Sequence, residues 1–232
     1  MDALDALDAV GESNVQLVLQ VGSDQWDGAT PCTEWNVRSL VGHLITGRHV
    51  YRGFLEGVPV AELRLILQQG GAAADDPVAA CESAVRSIRA AFAQPGALER
   101  TVHHTIGDMP GWQLLVQLVA DCVVHSWDLA TAIGVDPGLD EQLIELSYEF
   151  YLPLMQKDAV YAYGWFKPPA SPLPEGATAL ERLLHLLGRD SLSADSHQRT
   201  GRLGCPGCKG LGSLAPADSA RPFSQLAEST KP

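Results

Sequence analysis

Apolar residues return every three or four positions along most of the chain, and six stretches follow that spacing closely enough to predict helices. Leu4, Leu7, Val10, Val15, Val18 and Leu19 mark an amphipathic helix over residues 2–22, with Gly11 as its weak point. Val37, Leu40, Val41, Leu44, Tyr51, Phe54 and Leu55 mark a second over 37–57, preceded by Asn36 as N-cap and ended by Gly57 and Pro59. Asp76-Pro77 starts a third through Ala93, with Val78, Cys81, Val85, Ile88 and Phe92 as its buried stripe and Pro95-Gly96 as its stop. A fourth occupies residues 111–133, closed by Gly134. Asp140–Lys157, carrying Leu143, Leu146, Phe150 and Leu154, gives a fifth, and Ala177–Leu187 a short sixth.

The connections read differently. Residues 23–35 and 69–77 form loops, and the prolines between 168 and 174 punctuate another. Thr101 to Ile106 is β-branched enough for a strand or an extended connector, in which His103 and His104 face opposite ways and at most one reaches a site. Gly107 to Gly111 reads as a turn that launches the fourth helix. Beyond residue 190 the periodicity stops, and residues 191–232, rich in Ser, Gly, Pro and Ala, are predicted to be a disordered tail behind a helical domain over 1–190.

Charge and cysteine usage narrow the classes of function. The chain carries a net charge of −12; residues 1–190 hold 11 Lys/Arg against 25 Asp/Glu, while residues 191–232 hold five against three. An acidic body disfavours nucleic acid and anionic lipid as partners. Cys32, Cys81 and Cys122 sit singly within apolar patterns, as reduced, buried thiols do. With no basic N-terminal start of a secretory signal and no uninterrupted apolar run of about 18 residues, a soluble, cytoplasmic protein is expected. Cys205 and Cys208 are close enough to chelate zinc or exchange disulfides, but only His197 lies near them, short of the four ligands of a structural site.

The chemistry concentrates on the fourth helix, in the run Asp121-Cys122-Val123-Val124-His125-Ser126-Trp127-Asp128-Leu129-Ala130. At 100° per residue, Asp121, His125 and Asp128 fall within about 60° of one another, on a face otherwise made apolar by Leu114, Leu118 and Ala132. An inward carboxylate must be paired or bound to a cation. A carboxylate and an imidazole four apart can offer a helix's face to a divalent metal, or simply hydrogen-bond each other. Trp127 reads as core packing. On the second helix His43 shares its sector with Leu40, Gly47, Val50 and Phe54, so it points inwards, and Gly47 leaves space beside its ring. A lone histidine there is ordinarily a core residue unless another helix supplies partners.

Two blocks together resemble a known family: Thr30-Pro31-Cys32-Thr33-Glu34-Trp35-Asn36-Val37-Arg38-Ser39-Leu40-Val41-Gly42-His43-Leu44, and Asp121 to Ala130. The chain is similar to the mycothiol-dependent maleylpyruvate isomerase N-terminal-domain family within the DinB-like metalloprotein superfamily, especially single-domain members ending in a motif like Leu187-Gly188-Arg189-Asp190. That resemblance implies an all-α, up-down-down-up four-helix bundle with an extra C-terminal helix, and a divalent metal held by His43, Asp121 and His125, Asp121 standing where the isomerase has glutamate. Two imidazoles and one carboxylate suit zinc with an open fourth position, while nickel, iron and manganese accept the same ligand types. Asp128 would orient a ligand or hydrogen-bond structurally.

The activity implied is activation of a low-molecular-weight thiol, mycothiol by resemblance, for transfer to or isomerisation of a small electrophile, with no nucleic-acid or membrane partner and with a homodimer allowed. Isomerisation of maleylpyruvate itself fits less well, because the isomerase has a further C-terminal domain that contributes to activity. Two alternatives stay open: a metal-dependent hydrolase with Asp128, His103 or His104 as base, and a metal-stabilised module that binds a regulatory partner. Arg48 and Arg52 are the neighbouring cations for a thiol's carboxylate, and no basic cluster marks such a site.

Overall fold

In the computed structural model, residues 1–32, 35–68, 75–156 and 166–189 are described. Seven helices and one two-stranded hairpin account for their regular structure: α1 (Ala3–Leu19), α2 (Val37–Glu56), α3 (Val60–Gln68), α4 (Pro77–Phe92), β1 (Thr101–His104), β2 (Gly107–Pro110), α5 (Gly111–Ile133), α6 (Glu141–Met155) and α7 (Ala179–Leu186).

The helix boundaries follow local chemistry. Asp2, Asn36, Asp76, Asp140 and Thr178 each accept a backbone N–H from the first turn of the helix they precede. Gly57 and Gly134 end α2 and α5 in the left-handed region, at φ 82° and 75°.

Helices α1, α2, α4 and α5 make the bundle, and cross-helix contacts fix its directions. Ser13 near the middle of α1 bonds the carbonyl of Pro137 beyond α5, and Gln25 bonds that of Ile133, so α1 and α5 run the same way. Arg89 late in α4 pairs with Asp8 early in α1, making those two antiparallel. Arg52 late in α2 reaches Ser87 late in α4, so these are parallel. The order is therefore up-down-down-up. A parallel α2 and α4 require the chain to return between them, and α3 begins that return. Helix α6 packs on α5, and α7 on α6.

A buried polar chain ties three helices inside the apolar core. Arg48, 1% exposed, donates to the Leu44 carbonyl and to Asn14 of α1; Asn14 donates to Ser126 Oγ of α5 at 2.6 Å. Its charge is thus turned into the core, and Arg52 lies at the surface against Glu56. Neither expected cation presents its head group to the Asp121 face.

Three other expectations change. Helix α3 was not apparent, because its apolar residues are short-lived in sequence and partly outward: Leu65 and Ile66 are exposed. Residues 107–110 are not a turn but strand β2, paired antiparallel with β1 from Thr101↔Pro110 to His104↔Gly107. Gly11 does not interrupt α1, and a Cβ there would lie 2.7 Å from Val85 Cγ1, so its absence lets α4 approach. Helix α5 is long and apolar enough by composition to cross a bilayer, yet 72% of its most apolar window is buried inside the bundle. The expected tail and the Cys205/Cys208 pair lie outside the described residues.

Two glycines on bundle helices make opposite predictions. Gly47 is buried in mid-α2 with no neighbouring atom within 4 Å of where a Cβ would stand. Gly47→Ala should raise stability by about 0.5–1 kcal/mol through helix propensity. At Gly111 the added carbon would overlap the Ala97 carbonyl, and Gly111→Ala should lower it. Urea unfolding of the two variants checks both signs.

Candidate metal centre

The site begins with a turn. Thr30 Oγ1 accepts from the Cys32 amide and donates to the Trp35 carbonyl at 2.8 Å, while the Trp35 amide donates to the Cys32 carbonyl at 2.8 Å. Pro31 restricts the chain inside this turn. The turn sends the Cys32 thiol into the core, fully buried, and lays the Trp35 ring over two imidazoles, 4.5 Å from His43 and 5.6 Å from His125.

His43 of α2 and Asp121 and His125 of α5 converge beneath that ring. His43 Nε2 lies 3.5 Å from Asp121 Oδ2, and His125 Nε2 lies 3.6 Å from Asp121 Oδ1. All three donor atoms are within 4.8 Å of one another. These gaps are at or beyond the outer limit for a hydrogen bond, and His43 Nε2 is sealed from solvent with no hydrogen-bond partner. Ligands about 2.1 Å from a tetrahedral zinc are about 3.4 Å apart, close to the two measured edges. The donor set and its spacing fit one divalent cation.

Protonation of the three groups follows the same geometry. Burial holds His43 below the usual imidazole range, offset only in part by Asp121. Burial opposes charge on His125 too, but the Asp121 carboxylate and the bonds to Asp128 and Cys32 outweigh it and lift His125 well above that range. Burial would raise Asp121, yet His125 and His43 keep it lowered and ionised.

Asp128 organises the layer behind. Its carboxylate is 0% exposed and accepts from His125 Nδ1 at 2.9 Å, from the Cys32 thiol at 3.2 Å, and from Arg189 at 3.0 and 2.9 Å through Nε and Nη2. With Nδ1 committed, Nε2 is the nitrogen left to face Asp121 and His43. Desolvation pushes the Asp128 carboxyl up, but Arg189 and His125 overcome it and hold the group well below the carboxylate range. Cys32, His125 and Asp128 also cluster closely enough for a cation, but the Arg189 guanidinium already supplies positive charge there.

Of the residues singled out from sequence, the structure brings His43, Asp121 and His125 together and sets Asp128 behind His125. His103 is exposed and paired with Asp108, and His104 is buried against Phe54 and Tyr51. A sealed Asp128 and these two placements leave none of the three proposed bases facing the donor cluster. Arg189, Cys32 and Trp35 were not assigned roles from sequence. Arg189 carried a signal only as part of the Leu187–Asp190 motif, since 61 residues separate it from Asp128.

Breaking the Asp128–Arg189 pair strands a buried carboxylate, so Arg189→Ala should cost about 3 kcal/mol, and Arg189→Lys less. Because the Asp128 carboxyl is lowered in the fold, its contribution is complete above about pH 4 and declines as pH falls below that. Urea titrations at pH 7 and pH 3 should show the gap between wild type and Arg189→Ala narrowing in acid.

Residues 7–130 match the family described as the mycothiol maleylpyruvate isomerase N-terminal domain. Similar curated relatives are uncharacterized proteins of Mycobacterium tuberculosis strains CDC 1551 / Oshkosh and ATCC 25618 / H37Rv, each 31% identical over 143 residues, covering 62% of this chain and 74% of theirs. No solved structure matches. With a match across more than half its length and the two motif blocks set on α2 and α5 of a DinB-like helical bundle, the chain belongs to the mycothiol maleylpyruvate isomerase N-terminal domain family.

Proposed function

We propose that this protein is a metal-dependent thiol S-transferase or isomerase-like enzyme, cytoplasmic, that uses mycothiol as cosubstrate and acts on a small electrophile, with zinc as the metal. The observation that carries the reading is the convergence of His43, Asp121 and His125 donors from two helices, with His125 Nδ1 already committed to Asp128. The family membership supports mycothiol as the thiol.

When bound, zinc would supply the Lewis acidity that keeps a thiol as thiolate near neutral pH. The chain's own part is to orient and to shield. Asp128 and Arg189 fix the His125 ring, and Trp35 covers both imidazoles from one side. Asp121 keeps 30% of its side chain accessible, so the donors are reached from that side. A hydrolase has less support, since no candidate base faces the donors.

Purified protein should hold about one zinc per chain by metal analysis, and His43→Ala should lose most of it. Mycothiol consumption with an electrophile such as a maleimide should require the metal and fall at least about tenfold in His43→Ala; consumption unaffected by that change, or hydrolysis without thiol, would overturn the reading. Zinc affinity should rise with pH between 6 and 8, because His125 must give up its proton to bind, and calorimetry in buffers of different ionisation enthalpy should register that release.

A further inference from the structure

Leu183, Leu184 and Leu187 anchor the end of α7 in the core, and the chain then turns in a defined way. The Gly188 amide donates to the His185 carbonyl at 3.0 Å and the Arg189 amide to the Leu184 carbonyl at 2.8 Å, with Gly188 in the left-handed region at φ 66°. These paired bonds make a Schellman closure, in which the residue after the glycine is ordinarily apolar and packs back on its own helix. Here that residue is an arginine. Its side chain is 7% exposed and leaves α7 for Asp128 of α5.

Glycine at 188 is required twice over. A side chain would strain the left-handed backbone, and its Cβ would overlap the Lys167 carbonyl oxygen. The segment before α7 therefore lies directly against the turn that ends it.

The aim of Arg189 is exacting because its target is fully buried: the guanidinium meets Asp128 at two points, Nε to Oδ1 at 3.0 Å and Nη2 to Oδ2 at 2.9 Å. A planar fork keeps both contacts in one orientation only. Oδ2 is also the atom to which His125 Nδ1 and the Cys32 thiol donate, at 2.9 and 3.2 Å. A tilt of this carboxylate is therefore passed to the imidazole whose Nε2 faces Asp121. All of α7 lies beyond residues 7–130, the span that matches the family.

We propose that Gly188 is a positioning residue for the metal centre: seated against the Lys167 carbonyl, it aims Arg189 at Asp128, and Asp128 in turn holds His125 Nε2 towards His43 and Asp121. Arg189 is the arm of this device. Neither residue is a ligand. The assignment rests on the metal reading above and adds to it the residues that set ligand geometry from the far end of the fold.

The test is cobalt(II) titration of the full chain, followed by visible absorption. Gly188→Ala and Arg189→Ala should each weaken cobalt binding at least about tenfold and shift the absorption bands, while the double variant stays within about twofold of Arg189→Ala alone. Thr178→Ala, which removes the cap at the other end of α7, should lower stability yet keep cobalt affinity within about twofold of wild type. Should Gly188→Ala fail to fold, Arg189→Lys decides against Thr178→Ala: lysine keeps the charge without the two-point fork, so weaker cobalt binding in Arg189→Lys alone supports the device, and equal binding in both overturns it. A folded Gly188→Ala with wild-type affinity and bands, or losses that multiply in the double variant, would overturn the positioning role and leave the metal centre standing. A wild-type protein that takes up no cobalt would overturn the metal centre and this role with it.

Discussion

The buried carboxylate of Asp128 is the constraint on which the centre depends. An ionised carboxylate with no exposure is tolerable only if its lone pairs are filled by strong donors. Here those donors are a two-point guanidinium, an imidazole and a thiol. Each comes from a different part of the chain: Cys32 from the loop after α1, His125 from α5, and Arg189 from the residues after α7. Satisfying one charge therefore fastens three segments together and selects which imidazole nitrogen faces the donor cluster.

The second polar group in the core works differently. Arg48 is as deeply buried as Asp128, but its described partners are neutral, the Leu44 carbonyl and the Asn14 amide. Its charge is delocalised and weakly hydrated, which makes such burial less costly than for a lysine. Through Asn14 and Ser126 it fixes the depth at which α1 and α5 sit against α2. That register in turn sets His43 opposite Asp121, so the position of the donors on α2 is tied to a network that touches none of them.

Much of this was legible in the sequence because the relevant signals are local. The period of α2 and α5 put His43, Asp121 and His125 on inward faces, and Asn36, Gly57 and Gly134 marked the helix ends. Gly47 was readable as space beside His43, and the structure has that space. The failures were of two kinds. Short elements with weak patterns, α3 and β2, were overlooked because a single apolar face was never long enough to establish a period. Contacts between distant residues, such as Arg189 with Asp128 or Trp35 with His125, leave no spacing to detect. Arg48 shows a third kind of limit: a cation near a site in sequence is assumed to face it, and here packing turns the guanidinium the other way.

The separation of Arg189 from the rest has a temporal consequence. Synthesis proceeds from the N-terminus, and α1 to α6 are complete before residue 189 is added. Until then the nascent bundle carries all three cation donors while the carboxylate behind His125 still lacks its guanidinium. The layer behind His125 is therefore the last part of the centre to be completed as the chain is made, since its guanidinium arrives only with residue 189.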